Sequence, residues 1–224
     1  MAPAFDKRSL RQRCTQYVRE RIITGAIAPG EHLKEMNLSE ELGVSRGTLR
    51  EALRSLEIEG LIVDDGKRHM RVREVTSQDI LDCFEVRTVL EATAARRIVH
   101  SNHRRHMVQD LRRTLEPLKD PSLEFAMQLQ VDLRFHELLC EHAGNPTLLA
   151  AWRNLIGQIE MMIIAAGPDK ASGRMRFAEH VEIVEAIESG DDRKAAQALE
   201  DHMNDFCGRY LSDFATTSAE HVAS

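Results

Sequence analysis

Asn37-Leu-Ser-Glu-Glu-Leu-Gly-Val-Ser-Arg-Gly-Thr-Leu-Arg-Glu-Ala-Leu-Arg-Ser-Leu-Glu-Ile-Glu-Gly60 reads as two short helices joined by a tight turn. Asn37 followed by Glu40 has the form of a capping box and predicts a helix start at Asn37. Gly43 sits where a helix end needs a left-handed residue. Ser45 is a good N-cap for the next helix. That second helix carries Leu49, Ala52, Leu53 and Leu56 on one face, a spacing that buries. Arg46, Gly47, Arg50 and Arg54 fall on the other side, with Thr48 in the same first turn. An arginine-faced helix behind a short capped one is a helix-turn-helix, whose second helix is shaped for the major groove of DNA.

The next segment completes the module. Leu61-Ile62-Val63 and Met70-Arg71-Val72-Arg73 flank Asp64-Asp65-Gly66-Lys67-Arg68-His69, a turn signal with a basic tip. This predicts a β-hairpin wing. Gly66, Lys67 and Arg68 at its tip would approach a phosphate backbone or a minor groove.

Working outward, a helix is expected from about Ser9 to Thr24, with Leu10, Cys14, Tyr17, Val18 and Ile22 as its buried stripe. Val75-Thr76-Ser77 reads as a hinge, with Thr76 or Ser77 as N-cap, so residues 1–75 form a winged helix-turn-helix DNA-binding domain. From Ser77 onward every segment has a helical period. Breaks near residues 100–103, 119–121, 144–146, 167–173 and 190–191 predict an all-helical bundle of about six helices over residues 76–224. The fold class is therefore mainly α.

Bulk properties agree. The 224 residues are 42% hydrophobic and 29% charged, ordinary for a globular protein. No run approaches the ~20 apolar residues of a membrane span, and Met1–Arg8 lacks the apolar core of a signal peptide, so a cytoplasmic location is expected. Cys14, Cys83, Cys140 and Cys207 form no CxxC pair and read as reduced thiols. The formal net charge of −6 is divided unevenly. Residues 1–75 carry 14 Lys and Arg against 12 Asp and Glu, a balance of +2, and residues 76–224 carry 16 against 24, a balance of −8. The half with the helix-turn-helix is the basic half, and its electrostatic pull on DNA should be local.

The helical half collects potential metal ligands. Asp132 and His136 are one turn apart on one helix face. His180 has Ile183, Val184 and Ile187 at helical spacing, and His202 has Ala195, Ala198, Leu199 and Phe206, so both point inward. A carboxylate and three imidazoles from three helices suit zinc foremost, or nickel, manganese or iron. Core histidines satisfied by hydrogen bonds would show the same spacing. His100, His103 and His106 look solvent-facing and His142 lies near a helix end. Arg87 sits close to Val86, Leu90 and Ala94 on the helical wheel and so partly on the apolar side. Its guanidinium needs an anion, either Glu91 at i+4 or a ligand carboxylate. Asn154, between Trp152 and Leu155-Ile156, is a weaker pocket candidate.

From about Leu10 to Tyr210 the chain resembles the GntR family of bacterial transcription regulators, in its FadR-like branch with an all-helical FCD ligand-binding domain. The resemblance rests on Pro29-Gly30, the stretch from Val44 to Ile62, Glu85-x-Arg87-x-x-x-Glu91, Asp132-x-x-x-His136, Gly144-Asn145-Pro146, His180 and Gly190-Asp191 followed by His202. It implies operator contacts at Arg46 and Arg50, a wing contact at Gly66, a metal on Asp132, His136, His180 and His202, and an effector pocket at Arg87. Gly47 and Thr48 depart from the family's usual Thr-Pro, and Met36 stands where some members carry a polar DNA-contacting residue.

The expected function is a sequence-specific transcription regulator, a repressor, whose operator affinity is controlled by a small organic acid bound beside the metal. One winged helix reaches too few base pairs for useful specificity, so a homodimer on an inverted-repeat operator follows. Two other readings stay open. One is a direct metal-ion sensor. The other is a metalloenzyme with Glu179 as base, disfavoured because nothing supplies a second catalytic group and Glu179 points about 100° away from His180 on the helix.

Overall fold

The structure, a computed structural model, describes residues 9–64, 66, 69–166, 175 and 177–222, and all of their side chains except those of 164–166 and 213–222. By its contacts the chain divides between Val75 and Thr76 into two compact units.

The first unit is built around the second helix of the opening motif. Helices α1 (Leu10–Ile23), α2 (Glu35–Leu42) and α3 (Arg46–Ile58) are followed by strands β1 (Ile62–Asp64) and β2 (Met70–Val72). Leu49, Ala52, Leu53 and Leu56 of α3 are all fully buried, against Val18, Leu61, Ile62 and Val72. Gly43 caps α2 at φ 62°, and the Ser45 hydroxyl accepts from the Thr48 amide to start α3. The expected stripe of α1 is buried at Cys14, Val18 and Ile22, but Leu10 is 59% exposed. β1 and β2 pair antiparallel as the wing, Ile62 opposite Val72. A bridge between His32 and Arg71 continues the pairing toward Gly30, whose N–H donates to the Val72 carbonyl.

One expectation fails here. α2 begins at Glu35, with Lys34 at the N-cap and no side-chain cap, so Asn37 lies inside the helix. The Leu38 amide donates to the Lys34 carbonyl, already a helical bond. Burial of Leu38 against the rest of the unit outweighs the local capping preference of Asn37.

In the second unit Thr76 forms a capping box with Asp79 and starts α4 (Ser77–Val99). The described helices continue with α5 (Arg104–Leu115), a 3-10 turn (Glu116–Lys119), α6 (Phe125–His142), α7 (Pro146–Arg153), α8 (Ile156–Ala166), α9 (Phe177–Ser189) and α10 (Asp192–Val222). Among the described residues the bundle has a break that was not expected, between α7 and α8. No glycine or proline marks it; Asn154 ends α7 in an ordinary right-handed conformation. The expected break at 167–173 lies outside the described residues.

α4 is the central helix and runs against α10, where Phe84 meets Phe206 at 5.4 Å between ring centroids. Its buried stripe is Ile80, Cys83, Phe84, Arg87, Glu91, Ala94, Ala95 and Ile98. Val86, placed on that stripe by the helical wheel, is 48% exposed. The stripe is rotated so that Arg87 and Glu91 lie at its centre.

Two glycines of the helix-turn-helix should respond to alanine with opposite signs. Gly43→Ala places a Cβ at positive φ and should destabilise the first unit by about 1 kcal/mol. Gly47→Ala lies in α3, where an added Cβ meets nothing nearer than the Ser45 hydroxyl at 3.7 Å. It should stabilise by about 0.5–1 kcal/mol. Urea denaturation of the two variants checks both signs.

Candidate functional site

Two groups of side chains carry chemistry, one in each unit. In the first, Arg46, Arg50 and Arg54 are exposed along α3. Each has an internal partner. Arg46 Nη2 reaches the Met36 sulfur at 3.2 Å, Arg50 Nε lies 3.6 Å from Glu35, and Arg54 Nη1 lies 3.2 Å from Glu51. Exposed pairs of this kind are worth little and exchange easily for a phosphate or a base edge. Thr48 is half-buried and its hydroxyl is 2.9 Å from that of Ser45, so it serves the cap as well as facing outward. Gly66 is exposed at φ 75°, its N–H donating to Asp64 at 2.8 Å. Lys67 and Arg68 lie outside the described residues.

In the second unit, α6, α9 and α10 bring Asp132, His136, His180 and His202 together. One ring nitrogen from each histidine lies within 4.8 Å of the others. Asp132 Oδ1 is 2.9 Å from His180 Nε2 and 4.0 Å from His136 Nε2. Asp132, His136 and His180 are buried, whereas His202 keeps a partly exposed face. Asp132 Oδ2 and His136 Nε2 have no hydrogen-bond partner in the protein. Buried polar atoms are rarely left so.

Glu91 of α4 fixes His136 from behind. Its carboxylate lies 2.5 Å from His136 Nδ1 and accepts from Arg87 Nε at 2.8 Å and Trp152 Nε1 at 2.8 Å. With Nδ1 donating to Glu91, the lone pair of His136 Nε2 faces Asp132 and the other histidines. A carboxylate behind a histidine is the usual support of a metal ligand. This support was missing from the sequence reading. The Arg87–Glu91 spacing signalled the pair, but nothing signalled its link to His136 and Trp152.

Of the two anions expected for Arg87, the structure supplies Glu91. The guanidinium Nη2, also buried, has no partner in the protein. Asn154 is exposed at the end of α7 and lies apart from this cluster. His100 and His106 are solvent-facing, beside Asp192 and Asp110.

Electrostatics favour ligands over cations. Burial alone would raise Asp132, but the His180 contact, the neighbouring His136 ring and the Arg87 charge hold it below the usual carboxylate range. Burial likewise works against the Glu91 charge, and His136 and Arg87 outweigh it. Burial lowers His136 and lowers His202 further, keeping both neutral. Ionised carboxylate and neutral imidazole are the forms that bind a divalent ion. The donor set and the unpartnered atoms fit one.

Comparison with known proteins agrees with the architecture. The family model for bacterial regulatory proteins of the gntR family matches residues 10–72, and the FCD domain model matches residues 82–205. The chain belongs to the GntR family. It is a transcription regulator with an FCD domain, and its relatives are regulators and not enzymes. It is 29% identical over 206 residues to the "Probable D-xylose utilization operon transcriptional repressor" of Paenarthrobacter nicotinovorans, covering 89% of this chain and 90% of that one. It is also 29% identical over 202 residues to the gluconate operon transcriptional repressor of Bacillus licheniformis, covering 86% and 81%. The fold matches Escherichia coli McbR/YncC at 18% identity and TM-score 0.69, over 92% of this GntR chain and 99% of the other. Among the described residues no helix is long and apolar enough to cross a membrane.

Removing Glu91 should be costly. Glu91→Ala leaves the Arg87 guanidinium buried without its paired anion and the His136 and Trp152 N–H groups without their acceptor, and should destabilise the second unit by about 3–5 kcal/mol. Urea denaturation followed by the fluorescence of Trp152, the single tryptophan, reads this; a loss below about 1 kcal/mol would show that none of these partners depends on Glu91. Acid should act through the same groups. Neutral His136 and ionised Glu91 and Asp132 all take up protons on unfolding. Stability of the metal-free protein is therefore present above about pH 6.5, begins to fall below it, and falls further through the carboxylate range.

Proposed function

We propose that this regulator is a dimeric repressor whose operator affinity is set by a small organic acid bound beside a divalent metal, zinc foremost, in the FCD domain. The observation that carries the reading is the convergence of His136, His180 and His202 with Asp132 beside His180, two of the buried atoms there, Asp132 Oδ2 and His136 Nε2, having no partner in the protein. The four residues would hold the ion, which when bound supplies a Lewis-acid position for a carboxylate or hydroxyl oxygen. Arg87 Nη2 is the free half of a guanidinium fork already anchored by Glu91, suited to a second carboxylate oxygen. The gluconate operon named for one relative is consistent with a hydroxy-acid effector.

DNA recognition rests on α3. Arg46, Arg50 and Arg54 read guanine edges or phosphates, Thr48 and Gly66 lie close to the duplex, and the charge of Lys67 adds to the attraction for phosphate. Two copies read the two arms of an inverted repeat. An occupant of the FCD site touches side chains of α6, α9 and α10 at once, and Glu91 links the α6 residue, His136, to α4. Effector binding shifts the equilibrium between arrangements with different operator affinity. A regulator that answers to the metal alone would release DNA on metal addition without any acid.

Arg50→Ala should cost about 1–3 kcal/mol of operator affinity and relax the preference at one base position, measured against single-base operator variants at fixed salt. His180→Ala and His202→Ala should each lower metal content in elemental analysis of folded protein; full occupancy in both would make them core histidines only. Arg87→Lys keeps a cation beside Glu91 but loses the fork. It should bind operator normally and need at least about ten-fold more hydroxy acid for release, about 1.4 kcal/mol. A wild-type response would make Arg87 a structural partner of Glu91.

A further inference from the structure

Three of the four cluster residues are closed to solvent: Asp132 is 1% exposed and His136 and His180 are 0% exposed. His202 is the ligand with an open face, and that face lines a groove of about 440 Å³ between α9 and α10. Glu179 and Glu182 from α9 and Asp201 and Asp205 from α10 line the same groove, against one lining lysine, Lys194. Arg209 ties Glu179 to Asp205. Asp201 accepts from the neutral amide of Gln197 at 2.9 Å, and among the described residues no ion pair engages Glu182 or Asp201. Behind His202, within 4.8 Å between ring nitrogens, stands the unpartnered buried Nε2 side of His136, and Asp132 lies beside His136 and His180.

We propose that the groove between α9 and α10 is the port by which a divalent cation reaches and leaves the histidine cluster, its carboxylates drawing the cation to His202. The inference rests on the cluster being a metal site. Clefts lined by one sign of charge concentrate counter-ions and raise association rates by about 10–1,000-fold, an effect that salt removes. The same charge repels an organic acid, so the effector takes another way in. His202 is the first ligand met and the last released.

The test mixes chelator-stripped full-length protein with Ni²⁺ in a stopped-flow instrument, following Trp152 fluorescence, with bound nickel measured by elemental analysis. Glu182→Gln combined with Asp201→Asn should slow association by about 3–10-fold at low salt, and the difference should vanish near 1 M salt. Lys194→Gln should speed association. Glu57→Gln combined with Glu185→Gln, an equal charge change on exposed residues outside the groove, should match wild type. Equal association rates in all four proteins, each binding nickel, would overturn the port while leaving the metal site standing. Wild-type protein that binds no nickel would overturn both.

Discussion

The FCD domain of this chain depends on one buried carboxylate. Glu91 is fully enclosed, and its two oxygens receive Arg87, Trp152 and His136 from three different helices. Taking a carboxylate out of water costs several kcal/mol unless strong donors replace the water, and here two of the three donors belong to groups that can carry positive charge. The arrangement sets the roll of α4, which explains why Arg87 is central and Val86 faces outward. It also fixes the ring of His136 on α6 and holds the indole of α7 against the same point. Hydrophobic burial brings these helices together, but it does not distinguish one rotation of α4 from another as sharply as three directed hydrogen bonds do.

Much of this was legible in the sequence where local chemistry decides. Gly43, Ser45 and the Leu49–Leu56 stripe each act within one or two turns of chain, and the structure follows them. Thr76, one of two expected caps, behaves the same way. The failures share a cause. Asn37 offered a good cap, yet the helix starts at Glu35 because tertiary burial of Leu38 decides its start. The α7–α8 break uses no glycine or proline, so nothing in the composition marks it. Val86 was misplaced because a helical wheel weighs apolar residues equally, whereas an arginine and a glutamate form the buried centre.

The candidate site was readable in its ligands but not in its support. Asp132 and His136 share a helix face, and the apolar neighbours of His180 and His202 reveal which way they point. Those are one-dimensional signals. The contact of Glu91 with His136 joins positions 45 residues apart, and that with Trp152 joins positions 61 apart. No periodicity encodes such pairs. Asn154 was drawn in by its neighbours Trp152 and Leu155, and two residues along the chain were enough to put it in solvent while Trp152 is buried.

The internal partners of the α3 arginines bear on how the protein moves through a genome. Lac-repressor-like affinity for any DNA comes from uncompensated cations that displace the counter-ion atmosphere. Here Arg50 faces Glu35 and Arg54 faces Glu51, and residues 1–75 carry an excess of only two positive charges. On the proposed reading by α3, these weak pairs exchange readily for phosphate, but the carboxylates left behind repel the duplex, so random DNA would gain less than from bare arginines. A mixed-sign reading head of this kind would give up sliding length along the duplex in return for fewer molecules trapped on the wrong sequence.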